Sequence, residues 1–182
     1  MALDIAQLGQ PVLWQKAADV PVHEIRTPQF QQFLADMRTT LDEAKGIGLA
    51  APQVFQSRRV FLAGVLPPLE PEGPPQFETF INPRLTPLAD EQTSEWEGCL
   101  SYVELSVLVP RWRKVRIDYL NAHGEPKALE LEGFPARVVQ HEFDHLEGIL
   151  TIDRAASRRH IIKTSELKQL MEADEEEEDH DA

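Results

Sequence analysis

The sequence predicts an α+β fold: one compact domain of short antiparallel sheets packed around a central helix carrying His141-Glu142-Phe143-Asp144-His145, with an amphipathic helix near the N-terminus. Three observations predict it. Apolar and polar residues alternate in short runs joined by turn residues, the pattern of hairpins. Two longer stretches instead repeat at helical spacing. Strands and helices do not alternate along the chain, as a parallel βαβ sheet would require.

Taken in order, Thr27-Pro28 opens the first helix, with a capping hydroxyl followed by proline at the first helical position. Phe30, Phe33, Leu34, Met37, Leu41 and Ala44 follow at helical spacing, and Gly46 ends the run. These side chains read as core. Arg59 to Val65 reads as a strand with Val60, Leu62 and Gly64 on one face. Leu66 to Gln76 carries Pro67, Pro68, Pro71, Pro74 and Pro75 and reads as an exposed loop. Phe80-Ile81-Asn82-Pro83 reads as a short strand stopped by its proline. Val115, Ile117 and Tyr119 alternate with polar residues, Asn121-Ala122-His123-Gly124 turns the chain, and Ala128 to Leu131 returns, which makes a hairpin. The histidine helix comes straight after it, with Gly148 as its stop. A second amphipathic piece runs from Ile161 to Met171.

Composition sets bounds on function. At 182 residues, with 42% hydrophobic and 27% charged residues, the chain matches one soluble globular domain with a proper core. Its formal charge is −13, but eight acids lie from Glu172 onward with no Lys or Arg, and removing them leaves −5. Residues 1–171 are therefore expected to form the domain and 172–182 an acidic, disordered tail. Neither part offers a basic surface, which argues against direct nucleic-acid binding. The single cysteine, Cys99, rules out an internal disulfide and fits a reducing compartment. The first ten residues lack the basic flank and apolar core of a secretory signal, and no apolar run is long enough to span a bilayer. A cytoplasmic protein is expected.

Chemistry concentrates in Gln140 to Gly148. Histidines at i and i+4 share one face of a helix, one turn apart, and can grip a single metal ion. Glu142 then sits beside any water the ion holds. A surface helix whose histidines and acids are merely solvated is the plain alternative. A third ligand decides the class of enzyme. A metzincin protease places a histidine three residues beyond the glycine, where this chain has Thr151. Glu166 is the counterpart of the later glutamate used by other zinc proteases, but its surroundings are charged. Cys99, within Glu97-Gly98-Cys99-Leu100-Ser101, is the better candidate, although a lone cysteine is often only a small buried hydrophobe. Gly46-Ile47-Gly48-Leu49-Ala50-Ala51-Pro52-Gln53 fits a dinucleotide-binding pattern in letters alone. A helix precedes it and Pro52 obstructs the helix that should follow, so a loop lying against a substrate is the better reading.

In order, Gly46 to Gln53, Glu97 to Ser101 and Gln140 to Leu146 resemble the three motifs of the peptide deformylases. Pro11-Val12-Leu13, Ile81-Asn82-Pro83 and Val109-Pro110-Arg111 extend the likeness from about Leu8 to Asp153. The resemblance implies removal of the formyl group from N-formylmethionine at the start of new polypeptides. It implies Fe2+ as the metal, with Ni2+, Co2+ or Zn2+ as substitutes, held by Cys99, His141 and His145. Glu142 corresponds to the general base, and Gln53 with the Leu100 backbone N–H to the oxyanion donors. Ile47, Gly48, Glu97, Gly98 and Val138 fall at substrate-binding positions. Formylmethionyl nascent peptides are the implied partners, with the ribosome as a docking site and a monomer as the working form. Three departures stand out: Val103 and Ser106 replace proline and arginine, Glu95 replaces an apolar pocket residue, and acid replaces a basic C-terminal helix. A general zinc peptidase, and a silent binder of formylated N-termini, are the alternatives. Intact Glu142 and Gln53 argue against silence.

Overall fold

The computed structural model describes residues 1–70 and 73–171. The expected tail at 172–182 lies outside them. The first helices are α1 (Val22–Ile25) and α2 (Pro28–Glu43). Thr27 caps α2 by accepting from the Phe30 N–H, with Pro28 at the first helical position. Its last turn closes as the Gly46 N–H donates to the Leu41 carbonyl at 3.1 Å. Lys45, not Gly46, takes the left-handed conformation there, with φ of 53°. Gly46 is needed for space instead, because a Cβ on it would stand 2.8 Å from the Leu41 side chain and 2.9 Å from that of Leu100.

Five antiparallel strands build the larger sheet: β1 (Gly48–Ala50), β2 (Val60–Leu66), β3 (Gln76–Pro87), β6 (Lys114–Leu120) and β7 (Pro126–Glu132), in the order β1-β2-β3-β6-β7. The smaller sheet has the order β4-β5-β8, from β4 (Gln92–Glu97), β5 (Leu105–Trp112) and β8 (Ile161–Lys163). Strand β2 is buried along nearly its whole length because both faces are covered. Val60 and Leu62 pack with Phe30, Leu34, Met37 and Leu41 of α2. Phe61, Ala63 and Val65 point the other way, into a cluster with Val138, Val139 and Leu146 of α3 (Phe134–Glu147). Phe61 stacks on Phe80 at 4.7 Å between ring centroids, and Phe80 meets Tyr119 at 4.4 Å. Helix α3 touches β1, β2, β3 and β7 of one sheet and β5 of the other. Its residues are therefore within reach of both. No helix among the described residues is long and apolar enough to cross a membrane.

Three sequence expectations change. Pro83 does not stop its strand, since β3 continues to Pro87 through a register shift between Ile81 and Arg84. Asn82 adopts φ of 50° at that bulge, and its side chain bonds the Val20 N–H and carbonyl, each at 2.8 Å. A bulge is where a proline's missing N–H costs no ladder bond. The amphipathic piece after residue 160 divides into β8, paired to β5, and a helical stretch at 164–171. The β4–β5 hairpin was not predicted, because β4 is almost wholly exposed and lacks an apolar face. The 115–131 hairpin is present as β6 and β7.

Gly148 follows α3 with φ of 72°, and a Cβ there would lie 2.8 Å from the backbone of Trp14. The left-handed conformation alone costs a substituted residue about 1–2 kcal/mol, and here the backbone must also move. Gly148→Ala should therefore lower unfolding free energy by more than that amount, read from urea midpoints. An unchanged midpoint would show that the two backbones separate without penalty.

Candidate metal centre and substrate pocket

Cys99 follows β4 by two residues, and α3 presents His141 and His145 toward it. One ligand atom from each of the three lies within 4.8 Å of the others. The Cys99 sulfur is 3.4 Å from His145 Nε2, and the two imidazole centroids are 5.1 Å apart. Burial alone would push the Cys99 thiol up, but the imidazoles of His145 and His141 outweigh it and hold the thiol well below its usual range. A thiolate is the form that ligates metal. Burial pulls His141 down, yet its bonds to Cys99 and Glu97 raise it well above the ordinary imidazole value.

Glu142, on the same helix, is 4% exposed, and burial pushes its carboxyl up to about 7. Glu142 Oε2 and His145 Nδ1 are the buried side-chain polar atoms without a partner among the described residues. Buried polar groups in native proteins are nearly always paired, so the bare Glu142 oxygen beside Cys99 and His141 in the cavity wall marks a place built for another polar group. A thiolate, two imidazoles and an open side match a three-ligand site for a first-row divalent ion. The residues fit a metal. Glu166, the other third-ligand candidate, is exposed in the 164–171 helix and is not part of the cluster.

The glycine-rich segment supplies the opposite wall. Strand β1 begins at Gly48, where a Cβ would stand 2.3 Å from Glu142 Oε1, so no larger residue fits with the carboxylate in place. The following turn buries Gln53, whose Oε1 accepts from the Ala50 N–H at 2.9 Å. Its Nε2 donates toward Cys99 Sγ at 3.6 Å and Ser101 Oγ at 3.3 Å. A cavity of about 480 Å³ opens over these groups, and Ile47, Gly48, Glu97, Gly98, Leu100 and Val138 all line it. Trp96, Val103 and Phe134 line it too and are partly exposed.

Behind the ligands lies a network that sequence reasoning missed. Glu97 Oε2 is 2.9 Å from His141 Nδ1, which leaves Nε2 to face Cys99. Arg111 forks onto Glu97 through Nε and Nη2, both at 2.9 Å, and Arg137 Nη1 donates to it at 2.7 Å. These four bonds fill the carboxylate, and burial is outweighed by His141 and Arg111, which hold its pKa far below the carboxylate range. Arg111 also pairs with Asp144, which Arg154 grips at 2.6 and 3.1 Å. A signal was present. Arg137 and Asp144 break the apolar flank of the helix at positions facing inward, where charge is rarely tolerated unpaired.

The model of the polypeptide deformylase family matches residues 2–160. The chain belongs to that family. Peptide deformylase 2 of Nostoc sp. is 40% identical over 171 residues, covering 93% of this chain and 94% of the relative. The Treponema pallidum peptide deformylase is 38% identical over 157 residues, covering 86% and 90%. Among solved structures, the Met-Ala-Ser-bound class I type b peptide deformylase of Acinetobacter baumannii superposes with a TM-score of 0.77 at 36% identity, covering 85% of this chain and 98% of that one. The Thermotoga maritima peptide deformylase also gives 0.77 at 36% identity, covering 86% and 99%. Membership makes the protein a metal-dependent hydrolase of the deformylase kind.

Gly48→Ala should drive the Glu142 carboxylate from its place. Deformylation should fall toward the about 10²-fold loss typical of a missing general base, while bound metal stays at its original level. Loss of both together would place Gly48 in support of the ligands instead.

Proposed function

We propose that this chain removes the N-formyl group from the formylmethionine of newly made polypeptides, releasing formate and a free amine. One observation carries the reading: the Cys99 thiol, the His141 imidazole and an unpaired Glu142 carboxylate line one cavity, with the His145 imidazole clustered on the thiol. In this reading the central HExxH helix is the catalytic element of a 1–171 domain. Cys99, His141 and His145 hold the metal, iron(II) by preference and nickel, cobalt or zinc as substitutes. When bound, that ion would supply Lewis acidity and make a nearby water easier to deprotonate.

Glu142 takes the proton of the attacking water and passes it to the departing amine. Its apolar burial keeps it ready to accept, because a carboxyl near 7 exchanges protons in the neutral range. The developing oxyanion is met by the Gln53 amide and the Leu100 backbone N–H. Gln53 reaches that duty held at its other end by Ala50. Gly48 offers its backbone to the peptide main chain, and Ile47 with Val138 receives the methionine side chain. Gly98 lets the chain pass close to the substrate. Glu97 borders the cavity, but with its carboxylate fully used it acts on the reaction through His141. The protein is read as a cytoplasmic monomer meeting nascent peptides near the ribosome, in a reducing setting that keeps Cys99 ligating.

The decisive experiment gives anaerobically purified protein formyl-Met-Ala-Ser and follows formate release and metal content together. Formate release proportional to bound metal is expected, and none from fully loaded protein would overturn the proposal. Iron or nickel should support much faster turnover than zinc. Cys99→Ser should lose most of its metal, since a neutral hydroxyl replaces a thiolate; full occupancy would remove Cys99 from the ligand set.

Glu142→Gln should keep metal and fold but lose about 10²–10⁴-fold in turnover. The base form of Glu142 is the deprotonated one, populated above about pH 7 in the metal-free protein and to lower pH with a cation beside it. On the acid side kcat/KM should therefore fall about tenfold per pH unit. A flat acid limb, or wild-type rates in Glu142→Gln, would remove Glu142 as the base.

A further inference from the structure

Arg137 is a charged residue in the wall of a pocket read as the seat of a methionine side chain. It is 5% exposed and lines the cavity beside Val138 and Phe134. Every nitrogen of its guanidinium is engaged. Nη1 donates to Glu97 Oε1 at 2.7 Å and to the Val109 carbonyl at 2.9 Å. Nη2 donates to the Thr93 carbonyl at 2.8 Å and to Thr93 Oγ1 at 3.2 Å. Nε lies 3.2 Å from Glu95 Oε2. With its edge occupied, the guanidinium offers the cavity only its flat face, a surface that an apolar side chain can cover without stranding a donor.

The same side chain grips Glu97, whose other oxygen orients His141 Nδ1. Arg137 and His141 stand one helical turn apart on the same face of α3. Pocket wall and ligand orientation are thus one hydrogen-bonded unit running Glu95–Arg137–Glu97–His141. We infer that Arg137 is a positioning residue that ties the methionine pocket to the set of His141, and that Glu95 is the lock that holds Arg137 flat. This inference rests on the deformylase reading. It also accounts for Glu95, the acid found where an apolar pocket residue was expected.

The two residues should separate in the test. Partners that orient metal-bound histidines typically contribute about 10–100-fold in metal affinity. Nickel(II)-loaded Arg137→Leu should accordingly yield its metal to a competing chelator about 10–100-fold more readily than the unmodified protein. Glu95 is half-exposed, and an ion pair in that setting is weak. Glu95→Gln should therefore hold nickel as tightly as the unmodified protein but raise KM for formyl-Met-Ala-Ser about threefold with kcat little changed. Arg137→Lys, which keeps the charge but not the fork, should lie between Arg137→Leu and the unmodified protein in nickel retention, and it serves if the leucine variant does not fold. Nickel affinity unchanged in folded Arg137→Leu or Arg137→Lys would overturn the positioning role, and an unchanged KM in Glu95→Gln would overturn the lock. If the unmodified protein neither retains nickel nor releases formate, the deformylase reading fails instead.

Discussion

A buried carboxylate keeps its charge at low cost only when its lone pairs are filled, and Glu97 is where this structure meets that demand. Its four bonds come from three residues on two elements, Arg111 on β5 and Arg137 and His141 on α3, with Glu97 itself ending β4. Satisfying one acid therefore locks the small sheet to the helix. Asp144 repeats the device one turn along α3, drawing in Arg111 again and then Arg154 of the short helix Thr151–Arg154. Such pairs contribute little to net stability, yet removing one partner strands a buried charge at about 3–5 kcal/mol. Their value here is register, because the network fixes how α3 sits over β4 and β5, and so where Cys99 meets the histidines.

The larger sheet serves the same helix from the other side. Its aromatic stack and the apolar residues of α3 form one cluster, while α2 covers the opposite face. With α3 packed in this way, Gly48 can bring β1 against Glu142 with no side chain between them. Burial then gives that carboxylate its raised pKa, whereas Glu97, equally buried but paired with guanidinium groups, is driven the opposite way. Two acids on one site thus have different work because of their neighbours, not their type.

Of the departures from the family pattern, Glu95, Val103 and Ser106 line the cavity and are not among the candidate ligands. Glu95 is drawn to Arg137, Ser106 turns to Thr164 at 3.1 Å, and Val103 stays largely exposed. Each changes what a peptide meets at the rim. None hydrogen-bonds to Cys99, His141, His145, Glu142 or Gln53, though Glu95 reaches His141 indirectly through Arg137 and Glu97.

What the sequence determined by itself was local or carried by motif. Helical spacing in Phe30 to Leu41, alternation in Val115 to Tyr119 with its Asn121-to-Gly124 turn, and histidines four apart are periodicities that neighbouring residues impose without help from the rest of the chain. Three ordered motifs then pointed to Cys99 as partner to those histidines. Tertiary structure alone decided what depends on residues far apart in the chain. Pro83 continues a strand because Asn82 can bond Val20, 62 residues away. Strand β4, polar but for Trp96, forms because β5 supplies its ladder. Arg137 and His141 find Glu97 across 40 and 44 residues. No local pattern encodes such pairs, because a buried charge is acceptable only once its distant partners are in place.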